Sequence, residues 1–156
     1  MASIVIKRIG GIAHVVLSRS QKFNALNYEL LKELERTLDE LVQDTEIKVV
    51  LLSGEGKHFC SGGDLTYLQS LNRYQMGMFL SLAQRVYHKL LHLPKIVISC
   101  ISGYCIGGGL ELALCCDFRI IDKTAKFQLP EVSRGLIAPL GPKNKLISLL
   151  GQGRVK

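Results

Sequence analysis

Two short β-branched runs in this chain each lead into a glycine-rich loop, and helix-spaced segments lie between them. The runs are IKVVLLSG (47–54) and KIVISCISG (95–103), and the loops are KHFCSGGDL (57–65) and SGYCIGGGLEL (102–112). Apolar runs of this length are typical of strands that are buried on both faces of a parallel sheet. Because strands and helices alternate along the chain, the sequence predicts an α/β domain with a largely parallel sheet.

The remaining segments fit the same architecture. Segment 3–17 has two β-branched runs around Gly10-Gly11, which predicts a hairpin. Segment 27–43 has leucines at helical spacing with Asn27 placed as the N-cap. The other predicted elements are a helix over 74–93 ended by Pro94, a short helix over 110–116, strands over 118–122 and 125–129, and an amphipathic helix followed by a turn over 141–156. Without a repeat or a linker in view, we expect residues 1–156 to form one domain.

Composition limits the class of protein and of ligand. Apolar residues make up 47% of the chain and charged residues 21%, which is typical of a globular protein. The net charge of +7 suits an anionic partner, and because the cations are scattered, a phosphate-rich small ligand is favoured over nucleic acid. The N-terminus MASIVIKRIGG is not built like a secretory signal, and no apolar run is long enough for a membrane helix. We therefore expect an intracellular protein of the cytoplasm, or of the mitochondrial matrix after processing, without a membrane partner.

The cysteines and histidines predict neither disulfides nor a metal site. Four of the five cysteines lie in apolar runs and none forms a CxxC pair, which indicates reduced, buried thiols. Cys60 lies beside the Gly62-Gly63 turn, so a nucleophile is an open alternative there, although no motif pairs it with a histidine. His88 and His92 share one helix face without a third ligand, and we interpret them as surface residues.

The glycine-rich loops are the segments most suited to chemistry. Glycine permits close backbone approach to a ligand, and a helix N-terminus offers unsatisfied N–H groups with partial positive charge. Such a loop suits an anion or a developing oxyanion, while a simple tight turn is the alternative. Neither GxxxxGK[ST] nor GxGxxG is present, so the two common phosphate-binding motifs are excluded.

Acidic residues in and after the second loop are candidates for acid–base work. Glu111 follows Gly108 by three residues inside the apolar run LELALCC, and it either serves as a general acid or base or complements the helix dipole. Glu131, in FQLPEVSRGLI, is the second candidate, with an ordinary helix start after Pro130 as the alternative. Asp64 is predicted to be a turn or N-cap residue, and Asp117 to be a structural acid at the end of the LELALCC helix.

Taken together, these segments resemble the enoyl-CoA hydratase/isomerase, or crotonase, family. The resemblance is carried, in the family's order and spacing, by SQKFNALNYELLKEL, VVLLSGEGKHFCSGGDL, ISGYCIGGGLELALCCDFRI and FQLPEVSRGLI. It implies a crotonase-like spiral of ββα turns that assembles as homo-trimers or hexamers. The family continues beyond the position of Lys156, so we expect the C-terminal helical part, which covers the acyl pocket and supports the trimer, to be missing from these residues.

The resemblance also implies a site and a reaction. An oxyanion hole is expected from the backbone N–H groups of Gly63 and Gly108, with Glu111 and Glu131 flanking the double bond of an enoyl-CoA thioester. Family members that are not hydratases usually lack one or both glutamates, so their retention favours a lyase that adds water across the 2,3 double bond. Which glutamate is the acid and which the base is left open. The residues expected to bind coenzyme A or the substrate are Gln21, Lys22, Phe23, Gly63, Asp64, Leu65, Thr66 and Gly108.

The resemblance implies no metal and no cofactor other than the coenzyme A of the substrate. The alternatives are a double-bond isomerase, a catalytically weak binding or assembly protein, and, less favoured, an RNA-binding protein. One segment departs from the family pattern: hydratases usually read PGAGGTQRL where this chain reads APLGPKNKL (138–146). Pro139 and Pro142 are expected to stiffen that loop and to alter the pocket wall near Glu131.

Overall fold

The structure is a computed structural model that describes residues 3–135 and 143–155. Its strands are β1 (Ile4–Ile9), β2 (Ile12–Leu17), β3 (Val49–Gly54), β4 (Ile96–Ile101), β5 (Tyr104–Ile106), β6 (Phe118–Ile121) and β7 (Lys126–Gln128). Its helices are α1 (Tyr28–Gln43), α2 (Leu65–Ser70), α3 (Arg73–Leu91), α4 (Gly108–Cys115), α5 (Lys143–Leu150) and α6 (Gln152–Val155). Single 3-10 turns cover Ser20–Lys22 and Val132–Arg134. Pro139 and Pro142 lie outside the described residues.

The main sheet has the predicted parallel character. Within the described residues its strands follow the order β1-β2-β3-β4-β6. β1 and β2 form the predicted hairpin around Gly10-Gly11, in which Ile9 faces Ile12, and β2, β3, β4 and β6 are parallel neighbours. A second, small parallel pair joins β5 to β7. Because parallel neighbours need a crossover connection, α1 and α3 each carry the chain back to the start of the next strand.

Several element boundaries differ from the prediction for local reasons. α3 begins at Arg73 because Asn72 and Gln75 form a reciprocal capping box, and it ends at Leu91, before Pro94. The last predicted helix is divided at Gly151, whose φ of 79° is left-handed. Two elements, α2 and β5, are not predicted by the sequence pattern. Both are too short for a periodic pattern to develop, with 6 and 3 residues respectively.

The core lies where α1 and α3 cover the sheet. The predicted leucine stripe of α1 is buried at Leu30, Leu31, Leu34, Leu38 and Leu41, while Val42 is exposed. Asn27 caps this helix as predicted, since its side chain accepts a hydrogen bond from the Leu30 amide at 3.0 Å. Each fully buried leucine stabilises the fold by ~2 kcal/mol relative to an exposed one. None of the described helices combines the length and the apolar character that crossing a bilayer requires.

Candidate active site

The two glycine-rich loops, 57–65 and 102–112, lie directly against each other. The Cys60 amide donates to the carbonyl of Tyr104 at 2.9 Å, and the Ile106 amide donates to the carbonyl of Cys60 at 3.0 Å. Immediately after this bridge the backbones of the two loops lie closer together. A Cβ on Gly62 would lie 2.8 Å from the Ile106 carbonyl oxygen and 3.4 Å from the Gly108 nitrogen. A side chain at Gly62 would therefore push the loops apart, which is why glycine is needed there.

The Gly63 amide faces away from Leu26, with which Gly63 forms an isolated parallel bridge. Leu26 donates to the Gly62 carbonyl at 2.8 Å and accepts from the Asp64 amide at 2.9 Å. In a parallel bridge the polar groups of the residue between two such partners point to the opposite side. The N–H of Gly63 is therefore directed away from Leu26, and Gly63 directly follows the glycine that contacts Gly108.

Gly108 is the first residue of α4, so its N–H has no acceptor within the helix. The preceding Gly107 has a φ of 52°, in the left-handed region that favours glycine. At the other end of α4, Arg119 donates to the carbonyls of Ala113 and Cys116, at 3.3 and 3.0 Å, and Lys145 donates to Cys116 at 2.8 Å. These cations complement the negative end of the helix, while the partial positive charge of its N-terminus lies at the glycine loops.

Both candidate glutamates flank the first turn of α4. Glu111 lies in that turn, its amide donates to the Gly107 carbonyl at 3.0 Å, and only 3% of its surface is exposed. Glu131 approaches from the segment after β7, and its Oε1 lies 2.8 Å from the position that a Cβ on Gly107 would occupy. The helix-start alternative for Glu131 holds only in part, because it precedes a single 3-10 turn. Glu111 and Glu131 therefore both lie at the N-terminal end of α4.

The segment expected to bind coenzyme A is tied to the first glycine loop. Gln21 and Lys22 are exposed in the 3-10 turn, and Phe23 is half-exposed. The Ser61 amide donates to the carbonyl of Phe23 at 3.1 Å, and the rings of Phe23 and His58 meet edge to face at 5.1 Å. This turn therefore borders the loop that contains Gly63.

The residues after Gly63 begin α2. Asp64 is an N-cap, as predicted, since it accepts from the Tyr67 amide at 3.2 Å, while Leu65 and Thr66 are exposed. Burial acts to raise the pKa of Asp64, but the hydrogen bond and charge of Arg19 and the bond from Tyr67 outweigh it, so the pKa is lowered. The Asp64 carboxylate is consequently held by the protein itself, and Leu65 and Thr66 remain open to a ligand.

Three polar side chains of the site were not predicted. The hydroxyl of Tyr87 donates to the Gly108 carbonyl at 2.5 Å, and Arg19 forms an ion pair with Asp64 at 3.0 Å. Asn24 is fully buried with a φ of 56°, accepts from the Arg19 amide, and donates to the carbonyls of Glu55 and His58. Tyr87 fits the apolar face of α3 and so resembles an ordinary core residue. For Arg19 and Asn24 the only signal in the sequence was their position on either side of residues 20–23, which are called the SQKF turn below.

Cys60 is a buried thiol rather than an activated nucleophile. Burial is the largest effect on this thiol and raises its pKa to about 12, although the Gly62 amide and Arg19 act in the opposite direction. Cys105, Cys115 and Cys116 are also buried, as predicted, and Cys100 is half-buried. His88 and His92 stack at 4.2 Å on α3, in keeping with a helix face. In residues 3–135 and 143–155, no three His, Cys, Asp or Glu side chains are grouped as metal ligands would be.

The fold is that of the crotonase-type proteins. The crystal structure of an enoyl-CoA hydratase from Bacillus anthracis superposes with a TM-score of 0.95 at 33% identity, covering 99% of this chain and 60% of that one. The predicted fold class is thereby confirmed. A family model described as enoyl-CoA hydratase/isomerase matches residues 7–156. The chain therefore belongs to the enoyl-CoA hydratase/isomerase family.

Relatives of known name include both hydratases and an isomerase. The short-chain-enoyl-CoA hydratase of Clostridium acetobutylicum is 34% identical over 155 residues, which cover 99% of this chain and 59% of that protein. The peroxisomal Delta(3,5)-Delta(2,4)-dienoyl-CoA isomerase of Arabidopsis thaliana is 33% identical over 152 residues, covering 90% of this chain and 55% of that one. The chain thus spans somewhat under two thirds of the length of the relatives that it matches.

Proposed function

We propose that this chain binds an enoyl-coenzyme A thioester and adds water across its 2,3 double bond. The observation that carries the proposal is the junction of the two glycine-rich loops, where Glu111 and Glu131 flank the turn that presents the Gly108 amide. Two main-chain donors with two nearby carboxyl groups suit a reaction that develops charge on a carbonyl oxygen and moves protons at the adjacent carbons.

In this proposal the N–H groups of Gly63 and Gly108 bind the thioester oxygen and stabilise its enolate character. One glutamate, as the carboxylate, removes a proton from the water that attacks C3, and the other, as the acid, delivers a proton to C2. The water adds as hydroxyl and hydrogen, so no redox partner or leaving group is needed.

The coenzyme A portion is proposed to lie along the SQKF turn and the start of α2. Lys22 is exposed beside Phe23 and supplies a positive charge for phosphate groups, while Leu65 and Thr66 line the continuation of the same loop. No metal and no cofactor beyond this coenzyme A are proposed. We further propose that the protein assembles as a homo-trimer or hexamer and is located in the cytoplasm or the mitochondrial matrix.

The test is hydration of crotonyl-CoA, followed by loss of the enoyl-thioester absorbance, for wild type and for Glu111→Gln and Glu131→Gln. Each substitution keeps the shape of the side chain and removes its proton chemistry, so we expect kcat to fall at least ~100-fold while KM changes little. Glu46→Gln, at an exposed position, is the matched control and is expected to retain wild-type activity.

The outcomes separate the candidate functions. Activity that both glutamine variants retain would refute the two-glutamate mechanism. The isomerase relative favours a second candidate, for which a 3-enoyl-CoA would be converted to the 2-enoyl isomer without hydration, with dependence on one glutamate alone. Tight binding of butyryl-CoA by calorimetry without turnover of either substrate would indicate a binding or assembly protein.

A further inference from the structure

The first turn of α4 is held by a buried side chain from another helix. Tyr87 lies on α3, 21 residues before Gly108, and its hydroxyl donates to the Gly108 carbonyl at 2.5 Å. Only 2% of Tyr87 is exposed, and a Cβ on Gly108 would lie 3.3 Å from the Tyr87 oxygen. The hydroxyl therefore contacts the same residue whose N–H is proposed to bind the thioester oxygen.

This contact matters because the turn is built from three consecutive glycines. Gly107, Gly108 and Gly109 carry no side chains, and glycine loses more conformational freedom on ordering than any other residue. The Gly107 amide is bound to the Gln128 carbonyl at 2.8 Å, which fixes the entry to the turn. The Tyr87 hydroxyl binds the carbonyl of the Gly108–Gly109 peptide unit. The peptide unit that carries the Gly108 N–H therefore lies between two units that are held by hydrogen bonds from outside the helix.

The Tyr87 hydroxyl stays protonated and therefore remains a hydrogen-bond donor. Burial is the largest effect, followed by the negative charge of Glu111, and together they raise its pKa well above the ordinary tyrosine value. It therefore keeps its proton throughout the pH range of an activity assay.

We propose that Tyr87 is a positioning residue whose hydroxyl sets the direction of the Gly108 amide and thereby the polarisation of the bound thioester carbonyl. The inference rests on the proposed function and extends it to a residue that does not touch the substrate. It predicts that removal of one hydroxyl weakens the oxyanion interaction while coenzyme A binding, which involves other segments, is preserved.

The experiment compares wild type with Tyr87→Phe, using Tyr74→Phe as the control because Tyr74 lies on the same helix and is 76% exposed. The first readout is the infrared stretch of butyryl-CoA labelled with 13C at its carbonyl, a thioester that has no double bond to hydrate. The second is the kinetics of crotonyl-CoA hydration. For Tyr87→Phe we expect a smaller shift of the bound carbonyl stretch and a kcat lowered ~10-fold, less than the loss of an oxyanion donor itself, with KM within ~2-fold of wild type.

Each possible result of these measurements either supports or overturns the role proposed for Tyr87. A full carbonyl shift and unchanged kcat in a folded Tyr87→Phe would overturn this inference and leave the proposed function standing. A wild-type protein that shows no carbonyl shift would overturn the oxyanion hole and this inference with it. If Tyr87→Phe is unstable, both measurements are made in sucrose, which favours the folded state. Failure to fold even there would also overturn the inference, because the hydroxyl would then support the whole core rather than one turn.

Discussion

The guanidinium of Arg19 lies 3.0 Å from the carboxylate of Asp64, and this ion pair joins two segments that are 45 residues apart. Arg19 also donates to the carbonyl of Ala25, while Asp64 caps α2. The side chains are 17% and 10% exposed, so the pair is largely removed from water. One interaction thereby fixes the SQKF turn relative to Gly63, and its strength is expected to depend on pH.

We expect Arg19→Gln to lower the free energy of unfolding by ~2 kcal/mol at pH 7, since it removes charge-assisted hydrogen bonds from a partly buried carboxylate. The pKa of Asp64 is lowered in the folded chain, so the folded state binds this proton less readily than the unfolded chain, where an aspartate has a pKa of about 3.9. The stabilisation is therefore complete above about pH 5 and is lost as the pH falls below about 4.

Urea unfolding of wild type and Arg19→Gln between pH 3 and pH 7 measures this effect. Arg36→Gln is the matched control, because Arg36 pairs with Glu40 at 3.6 Å with both side chains well exposed, and such pairs contribute little. A difference between wild type and Arg19→Gln that stays constant down to pH 3 would contradict the assigned role of Asp64.

Close packing of the two glycine-rich loops predicts opposite effects for two glycine substitutions. Gly109→Ala would place a Cβ 2.4 Å from the carbonyl oxygen of Cys60, which is backbone and unable to rotate away. We expect a loss of ~2 kcal/mol or more, and weaker hydration activity as the loops separate. Gly77→Ala, in α3, meets nothing within 4 Å and should instead stabilise the chain by ~0.5–1 kcal/mol. Chemical unfolding of both variants measures these changes in the free energy of unfolding. A stable and active Gly109→Ala would contradict the close packing of the two glycine-rich loops.

Burial of Cys60 predicts an unreactive thiol. With a pKa of about 12 it stays protonated at pH 8, so iodoacetamide should modify the half-buried Cys100 long before Cys60, as followed by mass spectrometry of the native protein. Cys60→Ala should retain hydration activity within a few-fold. Rapid labelling of Cys60, or complete inactivation of a folded Cys60→Ala, would restore the nucleophile interpretation.

Prediction from the sequence succeeded where a pattern repeats or where a loop has a specific motif. The leucine spacing of 27–43 identified α1 and its buried face, and Gly10-Gly11 identified the hairpin. It failed where an element is short, as for α2 and β5. It also failed where a functional residue looks like an ordinary core residue in the sequence. Tyr87 on an apolar helix face has no local sign that its hydroxyl reaches a carbonyl 21 residues away.

The sequence by itself determined the alternation of strands and helices, the caps at Asn27 and Asp64, and the glycines that allow backbone to approach backbone. These are local properties, set by backbone conformation and by neighbours within a few residues. Tertiary structure alone decided that the Gly62 and Gly108 backbones meet, that Glu131 lies beside Gly107, and that Arg19 and Tyr87 hold the two loops. The reason is that each of these contacts joins distant segments, and the packing of α1 and α3 on a parallel sheet is what brings such segments together.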